Sequence, residues 1–265
     1  MIINFTKMHS LGNDFVVIDL VTQSFRLQKI QLQRIADRKF GVGCDQVILI
    51  TPPTRGDADF FYRIYNADGQ EVEQCGNGAR CAAKFFLDNG LSNKSKLIAD
   101  CLGGSMVLNL INNGLVSVNL GTNYTDVMSH PLHNLELPKE IYSVATGNPH
   151  GVCLVDNLDD TQVSSLGKIL TKNPIFPHGA NISFMRIVNR DHIELRVYER
   201  GVGPTLACGS AACAAVLVGR HLNLVDHHVK VSFQYGDLII AINPNDKTLS
   251  MTGSANSVYI GRFRV

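Results

Sequence analysis

The sequence contains no tryptophan, and aromatic residues make up only 7% of it. It therefore offers no evident platform for stacking nucleic-acid bases. Neither charge is in surplus: 24 Lys and Arg stand against 23 Asp and Glu, a formal net charge of +1. That balance argues against nucleic acid and against an anionic membrane surface as partners. No apolar run approaches the roughly 18 residues of a membrane span. The opening Met1-Ile2-Ile3-Asn4-Phe5-Thr6-Lys7 lacks the charged-then-apolar order of a secretory leader. No C-x-x-C occurs, and His130, His133, His227 and His228 stand in loop-like sequence, so no metal is expected. Gly41-Val42-Gly43 and Gly201-Val202-Gly203 each fall short of a nucleotide-binding fingerprint. The seven cysteines are odd in number and scattered, which speaks against a disulfide framework and for a cytoplasmic protein with reduced thiols.

What the chain does hold is a repeat. Cys75-Gly76 and Cys208-Gly209 lie 133 positions apart in a chain of 265 residues. At the same offset, Arg63-Ile64-Tyr65-Asn66 matches Arg196-Val197-Tyr198-Glu199. Cys75-Gly76-Asn77-Gly78-Ala79-Arg80-Cys81-Ala82-Ala83 is echoed by Cys208-Gly209-Ser210-Ala211-Ala212-Cys213-Ala214-Ala215. Gly12-Asn13 parallels Gly147-Asn148 at an offset of 135. Features in one order at nearly one offset imply a degenerate tandem duplication. The halves are expected at 1–120 and 121–254, with the hinge near Gly121-Thr122-Asn123.

Apolar runs predict strands over 15–20, 46–50 and 60–65, and over 151–155, 181–188 and 192–198. One helix should begin just after each C-G, over 77–88 and 210–221. Their small, apolar faces suit burial among close neighbours. Further strands are expected over 106–110, 115–120, 229–233, 238–242 and 257–263. Asn112-Asn113-Gly114 and Tyr235-Gly236-Asp237 read as hairpin turns. The fold class is therefore α+β, each half a curled, mainly antiparallel sheet around a central helix.

A cysteine at a helix N-terminus sits beside unpaired backbone N–H groups and the positive end of the helix dipole, and both favour the thiolate. Those N–H groups can also hold a carboxylate. If the halves pack about a pseudo-twofold axis, Cys75 and Cys208 bracket the α-carbon of one bound carboxylate. One thiolate then removes a proton and the opposite thiol returns one, without a cofactor. The remaining cysteines, Cys44, Cys81, Cys101, Cys153 and Cys213, read as buried and inert.

These residues resemble the diaminopimelate epimerase family from end to end. Lys7-Met8-His9-Ser10-Leu11-Gly12-Asn13-Asp14-Phe15 is similar to its N-terminal signature. Asn66-Ala67-Asp68-Gly69, leading to Glu73-Gln74-Cys75-Gly76-Asn77-Gly78-Ala79-Arg80-Cys81, carries the most specific likeness. Gly147-Asn148-Pro149-His150, and Glu199-Arg200-Gly201 through Ala207-Cys208-Gly209-Ser210, complete the set. The resemblance implies a cofactor-independent interconversion of LL- and meso-diaminopimelate, on the route to lysine and peptidoglycan, and a homodimer. It implies that the last strand, within 255–265, returns to the first half, where Tyr259 is a candidate interface residue. Cys75 and Cys208 would be the acid/base pair, and the backbone N–H groups of Gly76, Asn77, Gly209 and Ser210 would hold the reacting carboxylate. Asn13, Gln46, Asn66, Asn148 and Asn181 would contact substrate. Arg200 would pair its distal carboxylate, while Glu199 and His150 would bind the amine or tune a sulfur. Three positions depart from the family pattern: Ser10 for Gly, Pro204 for Glu, and Ala211 for Gly, the last expected to narrow the second helix mouth. Two other readings remain open, a racemase of a histidine- or proline-type substrate and a non-catalytic binder of a dicarboxylic amino acid.

Overall fold

The computed structural model describes residues 1–73, 75–111, 114–133, 138–158 and 160–264. Gln74 and the expected Asn112-Asn113 turn lie outside the described residues. The chain forms two compact units: Met1–Asn119 with Thr252–Val265, and Leu120–Met251. The first runs through β1 (Ile2–Ser10), β2 (Asn13–Asp19), α1 (Lys29–Ala36), β3 (Gln46–Thr51), β4 (Phe60–Asn66), β5 (Glu71–Val72), α2 (Gly76–Asp88), β6 (Lys96–Cys101) and β7 (Gly104–Ile111), and β8 (Leu115–Gly121) leads out of it. The second comprises β9 (Met128–Pro131), β10 (Glu140–Ala145), β11 (Pro149–Leu154), α3 (Asp160–Leu170), β12 (Asn181–Asn189), β13 (His192–Glu199), β14 (Gly203–Thr205), α4 (Gly209–His221), β15 (His228–Phe233) and β16 (Gly236–Ile242). β17 (Leu249–Ser254) leads out of the second unit, and β18 (Asn256–Arg264) pairs antiparallel with β1.

The repeat is explicit in the pairing. β1 and β2 run antiparallel, β2 parallel to β3, β3 antiparallel to β4, β4 parallel to β6, and β6 antiparallel to β7. β10, β11, β12, β13, β15 and β16 repeat every step in the same sense. Beside β1 lies β18, and in the same place beside β10 lies β9. Each sheet is therefore mixed, with two parallel pairs among antiparallel ones. The register repeats as well: Phe15 faces Gln46 as His150 faces Asn181, and Val47 faces Tyr65 as Ile182 faces Tyr198.

The central helix expected in each half is α2 or α4, and each unit adds a second helix, α1 or α3. Val47, Ile48, Leu49 and Ile50 are all buried, so both faces of β3 are covered. Val47 and Leu49 pack with Leu32, Ile35 and Ala36 of α1, whereas Ile48 lies under Gly78 of α2. In the second unit, Ile182 and Phe184 pack with Val163 and Leu170 of α3. That helix approaches β13 so closely that a Cβ on Gly167 would come within 2.5 Å of Tyr198. The hairpin expected at 235–237 turns one residue earlier, since Phe233 already pairs with Gly236 and leaves Gln234 and Tyr235 as the two-residue turn.

Position 78 explains one departure from the family pattern. A Cβ on Gly78 would meet Ile64 Cδ1 at 2.9 Å, Ile48 Cδ1 at 3.3 Å and a Phe15 ring carbon at 3.4 Å. The position thus points into the core and away from the helix mouth. Its repeat counterpart, Ala211, is fully buried, and the counterparts of Ile64, Ile48 and Phe15 are the smaller Val197, Ser183 and His150. By the repeat, the added methyl would point into the core where these smaller side chains leave volume for it.

This compensation is testable by urea denaturation. Gly78→Ala should lower stability by about 1 kcal/mol, overpacking outweighing the gain in helix propensity. Ile64→Val in the same chain should recover most of that loss. Additive losses from the two changes would refute the packing account.

Candidate active site

Cys75 caps α2 with extended dihedrals, φ −149° and ψ 118°, and its carbonyl accepts the N–H of Ala79 at 2.8 Å. The N–H groups of Gly76, Asn77 and Gly78 precede the first intrahelical bond, so they point out of the helix end. Around this mouth the first unit gathers its polar side chains. Cys75 Sγ lies 3.9 Å from Asn13 Oδ1, which also accepts Asn77 Nδ2 at 3.2 Å. Asn13 Nδ2 donates to Asp45 Oδ2 at 3.1 Å, and Asn77 Oδ1 accepts Arg80 Nη2 at 2.6 Å. Gln46 Nε2 donates to Asn66 Oδ1 at 2.9 Å across the β3–β4 pair. The buried Gln46 Oε1 has no partner among the described residues and is available to a donor.

Behind this cluster is an ion network. Lys7 reaches Asp14 and the Gly43 carbonyl, while Arg38 spans Asp14 and Asp45. Burial alone would raise the Asp14 carboxyl, but the bonds from Arg38 and Lys7 outweigh it and hold the group well below the usual carboxylate range. The network ties the loop before β3 to the β1–β2 hairpin that carries Asn13.

The second unit repeats the plan with other residues. Cys208 caps α4 with φ −137° and ψ 118°, and Ala212 N–H closes the first turn on its carbonyl at 3.0 Å. Its Sγ lies 3.4 Å from Ser210 Oγ. Glu199 Oε1 accepts the Thr205 hydroxyl at 2.6 Å, which anchors the carboxylate beside the segment leading to Cys208. Asn181 Oδ1 accepts the Arg200 backbone N–H at 2.9 Å. The exposed Arg200 guanidinium donates through Nη1 to the His178 carbonyl at 2.9 Å. No partner for its Nε or Nη2 lies among the described residues, so one edge of the fork is open to a planar carboxylate.

His150 is placed differently from the expected amine-binding or sulfur-tuning role. It is 0% exposed, and its Nε2 lies 3.1 Å from Asn148 Oδ1. Burial pushes the imidazole down to about 3, so it is neutral at physiological pH. Among the described residues its hydrogen-bond partner is Asn148, and its buried Nδ1 has none. Two residues unmarked by the sequence reading also belong here, Asp45 and Arg80. Asp45 immediately precedes Gln46, and Arg80 stands one helical turn beyond Asn77, which were the only local cues.

Burial governs four of the other cysteines. Burial pushes Cys44, Cys81 and Cys153 up to about 12 and raises Cys101 as well, which keeps these thiols protonated. Among the described residues, no group of three or more His, Cys, Asp or Glu is placed to hold a metal. Nor is any helix there long and apolar enough to cross a membrane.

Comparison with known proteins agrees with this architecture. A family described as diaminopimelate epimerase matches residues 5–125 and 142–258. A Bacillus anthracis phenazine biosynthesis protein of the PhzF family superposes with a TM-score of 0.76 at 16% identity, covering 100% of both chains. A hydroxyproline epimerase from Agrobacterium vitis, solved with bound trans-4-hydroxy-L-proline, gives 0.68 at 12% identity, covering 98% of this chain and 92% of its own. A probable proline racemase from Agrobacterium radiobacter gives 0.68 at 14%, covering 99% and 93%. At such identities the likeness speaks for the fold alone.

The neutral His150 has a thermodynamic consequence. Its folded value lies below the unfolded 6.5, so its contribution is fully present above pH 6.5 and is lost as pH falls towards 3. Between pH 6.5 and about 4.5, above most carboxylate titrations, stability should fall by about 1.4 kcal/mol per pH unit on its account. His150→Phe, which installs the residue found at the equivalent Phe15, should flatten that limb in urea titrations. An unaltered slope would show that His150 is not held neutral.

Proposed function

The chain belongs to the diaminopimelate epimerase family, and from that premise we propose that it interconverts LL- and meso-2,6-diaminopimelate without a cofactor, with Cys75 and Cys208 as acid and base. The observation that carries this reading is the equivalence of the two cysteines. Each caps a buried 13-residue helix with nearly the same dihedrals, at the same point of a repeated strand order. Inverting a stereocentre requires a proton to leave one face of a carbon and arrive at the other. The proposal accordingly requires each unit to supply one sulfur to the same α-carbon.

In the forward step the thiolate lone pair takes the α-proton. The C–H electrons move into the carboxylate, which becomes an enediolate. Backbone N–H groups of Gly76, Asn77, Gly209 and Ser210 stabilise the added charge on oxygen. The opposite thiol then protonates the other face and is left as the thiolate, so the enzyme ends with its protonation pattern reversed. Asn13, Gln46, Asn66, Asn148 and Asn181 bind ammonium and carboxylate through neutral groups, which hold the substrate without a strong competing charge. Glu199 accepts the distal ammonium and Arg200 the distal carboxylate.

The open edge of Arg200 is what favours a dicarboxylic substrate over a proline- or histidine-type one, which has no second carboxylate to place there. The protein is read as a cytoplasmic homodimer. The exposed Val258, Tyr259 and Ile260 on β18 are apolar surface suited to a second copy.

Incubation with LL-diaminopimelate in deuterated water tests the reaction. Deuterium should appear early in the meso product and not in recovered substrate, because the two bases hold different protons. Equal labelling of both would point to a single base, and faster exchange with proline or histidine would overturn the substrate. Cys75→Ala and Cys208→Ala should each cut turnover by about 10³-fold. Arg200→Lys, which loses the planar fork, should raise KM for diaminopimelate about 10- to 100-fold. An unchanged KM would remove Arg200 from substrate binding.

A further inference from the structure

We infer that Asp45 is a positioning residue for Cys75: together with Arg80 it fixes the direction of two side-chain amides, so that Asn13 meets the sulfur with its carbonyl oxygen. An amide side chain has one accepting and one donating end of nearly equal size, and its direction is set by its partners. At one end of this relay stands Arg80, which can only donate. It is 0% exposed, and its Nη2 bonds Asn77 Oδ1 at 2.6 Å and Ser10 Oγ at 2.7 Å. Ser10 spends its own proton on the Ser254 carbonyl at 2.8 Å, so towards Arg80 it must accept. Asn77 is thereby turned with its Nδ2 towards Asn13.

At the other end stands the Asp45 carboxylate, which can only accept. It takes Asn13 Nδ2 and the Asp14 backbone N–H, each at 3.1 Å, and Arg38 holds its second oxygen at 2.7 Å. Both ends of the relay thus impose one polarity, and Asn13 Oδ1 is left facing Asn77 Nδ2 and Cys75 Sγ. An oxygen acceptor beside sulfur favours the thiol, against the pull of the helix N-terminus towards the thiolate. Cys81 on α2 and Tyr62 on β4 also act electrostatically on Cys75. Burial keeps Cys81 and Tyr62 protonated.

The residues that build this relay are not repeated in the second unit. The counterparts of Asp45, Arg80 and Asn77 are Ala180, Cys213 and Ser210. Cys208 meets a hydroxyl that can turn its proton towards sulfur. The relay therefore sets Cys75 apart from Cys208 and biases it towards carrying the proton.

Its catalytic meaning rests on the two-cysteine reading, but it is measured on ionisation rather than turnover, so either can fail alone. Alkylation of the full-length protein by iodoacetamide, followed across pH by site-resolved mass spectrometry at high salt, gives a midpoint for each cysteine. Asp45→Ala removes a half-exposed side chain and should lower the Cys75 midpoint by roughly half to one pH unit, the worth of one neutral hydrogen bond. The Cys208 midpoint should stay in place. In an Asn13→Ala background, Asp45→Ala should have no further effect, because the relay is already cut. A Cys75 midpoint unmoved by Asp45→Ala would overturn the proposal. So would an equal shift in the Asn13→Ala background, which would mark a through-space charge effect.

Discussion

The first backbone N–H groups of an α-helix have no partner within it, and most of this architecture follows from where two sets of them are left. α2 and α4 are so hemmed in by strands that nine of the thirteen residues of each are buried. A helix enclosed in this way can leave its donors unmet only at its mouth. Small residues let the strands close around the helix body, and the C-G pair keeps the entrance narrow while leaving the amides approachable. The cysteines inherit their chemistry from that placement: they are the residues at which buried helix begins. The same residue type deeper in either unit, as at Cys81 or Cys153, is pushed by burial into a thiol that does not ionise.

Duplication supplied the two mouths, and divergence made them unlike. Strand order and register survive in both copies, but the residues packed behind each mouth do not. Phe15 has become His150, Ile48 has become Ser183, Gly78 has become Ala211 and Asp45 has become Ala180. Some of these exchanges balance volume, and others replace charge by neutral groups. The backbone plan is common to both copies, while the side chains around each mouth differ.

Much of this was legible before any coordinates. β3 announces itself as an unbroken apolar run, β12 as one interrupted only by Ser183 and Arg186, and the two long helices as small-residue stretches after each C-G. α1 escaped notice because it is eight residues long and buries only Leu32, Ile35 and Ala36. β1 was hidden by Thr6, Lys7 and Ser10, polar residues that are nonetheless buried and break the expected alternation. At the site, the cysteines were readable because they repeat. Arg80 and Ser10 were not, since they are 70 positions apart and only the fold brings them together. For His150 a polar letter in a motif was legible but not its environment, which is full burial beside Asn148.

The pairing of β18 with β1 has a consequence for how the chain is made. Ile2 lies opposite Arg264, so the first unit takes its edge strand from residues synthesised after the whole of the second unit. The second unit is one unbroken stretch and can fold as soon as it leaves the ribosome. The first must wait, with one side of β1 unpaired and prone to wrong partners. Prior folding of the insert also shortens the loop that β18 has to close, since a compact body replaces a long flexible segment. The half that emerges first can thus be completed only last.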